Sequence, residues 1–370
     1  MVRAGRGTAT AVVLMLMTVP AQAQSLLVRT PNLGGTWVGE PAVVHFHFMH
    51  RFMATDPPAR KVLNTPTFLL AASAPGRLLA GARYATNSPL VTGYPNEWEF
   101  FGRWNPLAES TGSSLDAALH VGYNQAARSV DGELALARTI GPLRVLAAGR
   151  AFSDHARAGS RYGAAGGAAL RVHEWVSFAG DVGTLFNREP EEKVAWSVGL
   201  QLRIPYSPHT VSLHASNVHT TTLQGATSSR GTDTRRWGFE FIAALPVARW
   251  LSTRSSDVAA VDAVGGDTVT INMNNQMQFL PASLRVREGQ TVIWRNTSDI
   301  LHTVTADPDR AARREHVQLP AGAEPFDSGD IAPGGRFSHT FTVIGEYAYV
   351  CLPHEMAGMV GRIIVEPAGR

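Results

Sequence analysis

Between residues 42 and 246 the chain alternates apolar and polar side chains, segment after segment. Lys193 to Ile204 is the clearest case. Val194, Trp196, Val198, Leu200, Leu202 and Ile204 fall on one side, and Lys193, Ala195, Ser197, Gly199, Gln201 and Arg203 on the other. A period of two is strand geometry, with successive side chains on opposite faces. Arg236 to Val247 repeats it, setting Trp237, Phe239 and Phe241 against Arg236 and Glu240. Trp98, Phe100 and Trp104 oppose Glu99 and Arg103, and Leu119, Val121 and Tyr123 oppose Asp116, His120 and Asn124. Twelve strands are expected, at 42–53, 66–73, 77–87, 96–106, 115–126, 130–139, 142–152, 163–172, 175–185, 192–204, 209–219 and 235–246. Strands of soluble proteins usually run to roughly 5–6 residues. Most of these are longer and approach the roughly 9–11 that a tilted strand needs to cross a bilayer. One face apolar and the other polar, small or charged is the pattern of a transmembrane β-barrel with lipid outside and a polar lumen. The expected class is therefore all-β.

The connections agree. Ala74-Pro75-Gly76, Ile140-Gly141, His173-Glu174 and Pro205 to Pro208 are short and would share one end of the barrel, while Thr220 to Thr234 is the longest connection at the other. The connections around the fifth strand break this rule. Trp98, Trp104, Tyr123 and Trp250 sit at strand ends, where interfacial aromatics belong. Alternation alone leaves open a soluble β-sandwich or a periplasmic barrel with an apolar interior.

The N-terminus reads as an export signal over residues 1–23. Arg3 and Arg6 precede an apolar stretch from Ala9 to Val19, and Ala21-Gln22-Ala23 is a cleavage site of the A-x-A kind. The apolar stretch is too short to span a bilayer as a helix. The barrel is expected over 24–250, a small, polar, Ala/Gly-rich linker over 251–266, and a second domain over 267–367. An even strand count returns the chain to the periplasmic side, where that domain would hang. The formal net charge is +3 and no basic run occurs, so nucleic acid is not an expected partner.

Histidines in the barrel region offer weak metal patterns. His45, His47 and His50 form H-x-H-x-x-H, with His45 and His47 on one strand face; His209, His214 and His219 are each five apart, which alternates faces. Glu99, Arg103, Arg203, Arg236 and Glu240 would either line a pore or pair across a narrow interior.

The second domain carries the chemistry. Cys351 is the chain's single cysteine, and a leftover cysteine in an exported protein calls for its own explanation. It lies in Val350-Cys351-Leu352-Pro353-His354-Glu355-Met356-Ala357-Gly358-Met359, so a thiolate, an imidazole and a thioether share one short loop. These are ligands that suit copper. His302 is the upstream candidate for a second imidazole. Two histidines and a cysteine in a trigonal plane, with a long axial contact from Met359, are the ligands of a mononuclear blue-copper site.

Short strands punctuated by turns suggest a Greek-key sandwich of about 100 residues. Here the chain resembles a known family. The residues Val286-x-Glu288-Gly289-x-Thr291-Val292-x-Trp294-x-Asn296, His302, Phe326-Asp327-Ser328-Gly329, Ala332-Pro333-Gly334, Gly345-x-Tyr347 and Cys351-x-Pro353-His354 through Met359-Val360-Gly361 look like a plastocyanin/pseudoazurin-type cupredoxin. The resemblance implies one type 1 copper per chain, ligated by His302, Cys351, His354 and Met359. It also implies that His354 presents an exposed ring edge as the electron port, where a redox partner protein docks beside Leu352 and Pro353. Glu355-Met356 departs from the family, where smaller residues are usual, and leaves Met356 as another axial candidate. Ala311 to Glu324 reads as an unusual surface insertion. The N-terminal region looks like an uncharacterised family of bacterial β-barrels, a likeness of texture that assigns no site.

The reading that follows is an electron-transfer protein, not an enzyme: a cupredoxin domain tethered to an outer-membrane barrel, with outer-membrane lipid as the barrel's surroundings. The alternative is a periplasmic copper-binding or trafficking protein whose barrel houses or passes copper. A multicopper enzyme would need a second copper domain with its own histidines, and the sequence offers none.

Overall fold

In a computed structural model, which describes residues 25–55, 57–230, 235–247, 261–262 and 266–368, the alternating region closes on itself. Among the described residues, twelve long antiparallel strands run from Val43–Ala54 to Arg236–Pro246, each paired with its sequence neighbours. The last strand pairs back onto the first, with Val43 opposite Pro246 and Phe52 opposite Trp237. A short extra strand, Ser228–Arg230, pairs with Glu192–Arg203. The expected signal segment, the linker apart from Val261–Asp262 and Gly266, and Trp250 lie outside the described residues.

The faces are as the alternation requires. Phe100, Leu134, Val198, Leu213 and Trp237 stand on the outer wall, each about half exposed or more. Glu99, Arg103, His120, Glu133, Arg150 and Glu240 point inward and are buried. Isolated inward charges in a closed space would be very costly, so they are paired. Arg150 meets Glu133 at 2.7 Å, Arg83 meets Glu99 at 3.0 Å, and His120 meets the same Glu99 at 3.0 Å.

The charged residues do not line an open pore, because the lumen is filled from both ends. Residues 25–38 thread into it from the short-turn end. Asn32 bonds Asp181 through its backbone N–H at 2.8 Å and its side chain at 3.0 Å. Arg103 donates to the Trp37 carbonyl at 2.9 Å, and Ser177 donates to the Leu27 carbonyl. From the other end the connection 217–230 folds inward. The Leu223 N–H reaches Glu99 at 3.0 Å, Gln224 donates to Asp131, and Arg150 donates to Thr227 at 2.7 Å.

After the barrel come two small sheets. One joins Ser283–Arg287, Val360–Glu366, Gly345–Val350, Thr305–Ala306 and Phe326–Asp327, with Val261–Asp262 at its edge. The other joins Phe279–Leu280, Thr268–Met273, Thr291–Asn296 and Arg336–Thr340. Ile271, Trp294, Phe341, Tyr349 and Ile363 fill the space between them and are fully buried. Trp294 keeps its indole N–H satisfied by donating to the Tyr349 hydroxyl at 3.0 Å, as a buried indole must.

Candidate metal centre

Among the described residues one group of metal-ligating side chains converges: His302, Cys351 and His354, all buried. The Cys351 Sγ lies 3.5 Å from His302 Nδ1 and 3.2 Å from His354 Nδ1, and the two Nδ1 atoms are 3.2 Å apart.

Each donor is delivered by a locally determined turn. Asn296, at the end of its strand, donates from its amide to the carbonyls of Ile300 at 2.7 Å and Ile331 at 2.9 Å. Ser298 donates back to the Asn296 side chain. This knot shapes the loop that carries His302, whose backbone exchanges two hydrogen bonds with Ile331. Cys351 follows directly on Gly345–Val350, and a short 3-10 helix, Leu352–Ala357, brings His354 back over it. Gly358 closes that turn at φ +85, a conformation that side chains rarely adopt. Cys351 N–H then donates to the Met359 carbonyl, and Met359 N–H to the His354 carbonyl, both at 3.1 Å.

The hydrogen bonds fix the protonation that a metal needs. His302 Nε2 faces the Asn274 carbonyl at 3.2 Å and His354 Nε2 faces the Tyr206 carbonyl at 2.9 Å. A carbonyl only accepts, so each Nε2 carries the proton and each Nδ1 turns a lone pair toward Cys351. The Thr303 N–H points at the sulfur at 3.2 Å. Burial pushes the Cys351 thiol up to about 12 and, with the neighbouring His354, the His302 imidazolium down to about 3. The metal-free pocket therefore holds a neutral thiol and a neutral imidazole. The donor set fits a soft or borderline cation, which lowers the thiol's pKa on binding.

Met359 is buried in the same core as Cys351, whereas Met356 is 67% exposed, which removes it as an axial candidate. The departure at Glu355 has a structural reason. Its buried carboxylate accepts from the Ala312 N–H at 2.7 Å, the Arg313 N–H at 2.8 Å and His316 Nδ1 at 2.9 Å, pinning the insertion beside the ligand loop.

One expectation is overturned. His354 has no exposed edge: it is 2% exposed, covered by the barrel turn that contains Tyr206. The other histidine sets do not converge. His45 packs edge-on to Trp37 and His47 bonds Glu240, but His50 turns to the opposite face among Phe48, Phe52 and Phe239. His209 accepts from the Ala244 N–H, while His214 and His219 meet Arg51 and Arg236 separately. Asn274, Thr303 and Tyr206 carry no sequence signal as supporting residues, since two of them act through carbonyls and one through an N–H.

Residues 267–366 match the family of copper binding proteins, plastocyanin/azurin family. The chloroplastic plastocyanin of Chlamydomonas reinhardtii is 32% identical over 129 residues, covering 34% of this chain and 79% of the plastocyanin. The plastocyanin of Scenedesmus fuscus is 37% identical over 90 residues, covering 24% of this chain and 86% of the relative. Among solved structures, pseudoazurin from Methylobacterium extorquens AM1 is 26% identical and covers 26% of this chain and 74% of its own, with a TM-score of 0.22.

Proposed function

Because the chain, through its C-terminal domain, belongs to the plastocyanin/azurin family of copper-binding proteins, we propose that it is a type 1 copper electron-transfer protein carried on an outer-membrane β-barrel. The convergence of His302 Nδ1, Cys351 Sγ and His354 Nδ1 supports this reading above all else. These three would hold the ion, and Met359 would supply a weaker thioether donor. Copper bound there would supply a one-electron couple between +2 and +1. The protein's part is to keep the donors still. Asn296, Ser298, Asn274 and Gly358 fix the two loops, and the Thr303 N–H stabilises negative charge on the sulfur. The domain is a carrier, not a catalyst, in keeping with its family.

The barrel's outer wall supports a bilayer setting: long strands, an apolar exterior and a paired, filled interior are what lipid outside would select. In that setting the short-turn end, the plug and the copper domain face the periplasm. A redox protein there would be the partner. The plugged lumen weighs against the alternative in which the barrel passes copper.

The test is the visible spectrum of the full chain with one equivalent of Cu(II), beside Cys351→Ser. An intense band toward the red, absent in the variant, is expected. A weak spectrum that the variant leaves unchanged would refute the thiolate–copper assignment.

A further inference from the structure

We propose that the barrel completes the metal centre of the second domain. The turn Pro205–Pro208 caps His354, and the Tyr206 carbonyl is the outer hydrogen-bond partner of that imidazole. A redox partner therefore meets this turn rather than the ring edge. The proposal rests on the electron-transfer reading above.

The turn is built to aim a carbonyl. It joins Glu192–Arg203 to Thr210–Ser216 at the short-turn end, and Tyr206 adopts φ +57, in the left-handed region. Ser207 N–H donates to the Ile204 carbonyl at 3.2 Å, closing the turn and leaving the Tyr206 carbonyl directed away from it. His354 Nε2–H fills that carbonyl at 2.9 Å, and the ring is 2% exposed as a result.

Further contacts flank it. The Tyr206 hydroxyl donates to Asp330 at 2.7 Å, one residue from Ile331, whose backbone clasps His302. Arg203 meets the Asp299 carboxylate at 3.5 Å and also donates to the Asp299 carbonyl. Gln276 donates to the Pro41 carbonyl at 2.9 Å, and Asn275 donates to Glu40. Asn275 neighbours Asn274, whose carbonyl holds the other ligand imidazole. The barrel thus touches this domain at the ligand-bearing loops. An imidazole that donates from Nε2 is a better donor at Nδ1, and its ring cannot rotate freely. Tyr206 itself is 40% exposed, so the cap also presents accessible surface beside His354.

The test uses the full chain, first without metal. Diethyl pyrocarbonate modifies accessible imidazoles, and peptide mapping by mass spectrometry reads each histidine. Exposed His173 is the internal reference. His354 should react at least about ten-fold more slowly than His173 in the wild type, as a group reached only by local opening does. Replacing Pro205–Pro208 by Asn-Gly, a two-residue hairpin turn, removes the cap without touching the copper domain and should remove most of that protection. Equal rates at His354 and His173 in the wild type would overturn the cap. Should the shortened barrel fail to fold, Asp299→Lys sets a cation against Arg203 and should expose His354. Adding Arg203→Glu should restore its protection, and no recovery counts against the docking. In the copper-loaded chain the turn replacement should raise the reduction potential, since the oxidised ion loses a strengthened donor. An unchanged potential would overturn the outer-shell role. A missing thiolate–copper band with His354 still protected would instead sink the copper reading and leave the docking intact.

Discussion

The barrel and the sandwich are built from the same alternating strands and are filled in opposite ways. Inside the barrel sit Arg83, Glu99, His120, Glu133 and Arg150; outside stand Phe100, Leu134 and Trp237. Inside the sandwich sit Ile271, Trp294, Phe341 and Ile363, while Arg285, Arg336 and Glu366 face out. A period of two says that a strand has two unlike faces, not which face is interior. Geometry decides that. Two sheets packed about 10 Å apart leave room only for interlocking apolar side chains. A ring of twelve strands encloses a wider space, which here takes charged side chains, their partners and two inserted segments.

The comparison breaks first at the metal. Cys351→Ser should abolish the intense copper band of the full chain while leaving the barrel's unfolding midpoint in urea where it was. A barrel destabilised along with the band would mean that the two regions share more than a docking face.

The next largest effect tests the barrel's interior. Arg150→Met leaves Glu133 buried without its close partner, and removing one member of a buried pair costs roughly 3–5 kcal/mol. Urea unfolding of the barrel in micelles should show that loss, and adding Glu133→Leu should return most of it. No loss in the single variant would mean that water reaches the lumen and screens the charge.

How much of this was legible depended on how local the cause was. Eleven of the expected strands begin within two residues of the observed ones, because alternation is a property of each segment alone. The strand expected at 66–73 in fact begins at Val62, running through Pro66. The one expected at 209–219 stops at Ser216, where the chain turns into the lumen. His302, Cys351 and His354 were readable from residue type and spacing, and the fold brings them together. The plug at 25–38 was not readable, because its partners, Asp181 and Arg103 among them, are assembled only when the ring closes. Tyr206 lies 148 residues from His354 and contributes a backbone atom, so no side chain advertises the contact.

The outer wall gives a third test. Leu134 lies at the middle of Ser129–Ile140 and is 55% exposed. In the bilayer setting proposed above, Leu134→Arg should cost about 2–4 kcal/mol, read as urea unfolding from liposomes. On a wall facing water, an exposed substitution of this kind stays within about 0.5 kcal/mol. An unchanged midpoint would remove the membrane and leave a soluble barrel with an inverted interior.

The smallest expected effect concerns the sandwich and its pH dependence. His339 stacks on Phe326, ring centroids 4.2 Å apart, and packs edge-on to Phe341 at 4.9 Å. Burial lowers its pKa from the usual value of 6.5. The unfolded chain then binds a proton more readily than the folded one. Stability from this group is therefore fully present above the unfolded value and is lost as pH falls through the folded one. A full proton would give a slope of about 1.4 kcal/mol per pH unit, and a half-buried ring gives only a fraction of that. His339→Phe should keep the stacking and remove the fraction. The metal-free copper domain's melting transition, followed in the full chain from pH 7 to pH 5, should fall less steeply in the variant than in the wild type. Identical slopes would place the acid sensitivity elsewhere and leave the apolar filling of the sandwich without a titrating member at this position.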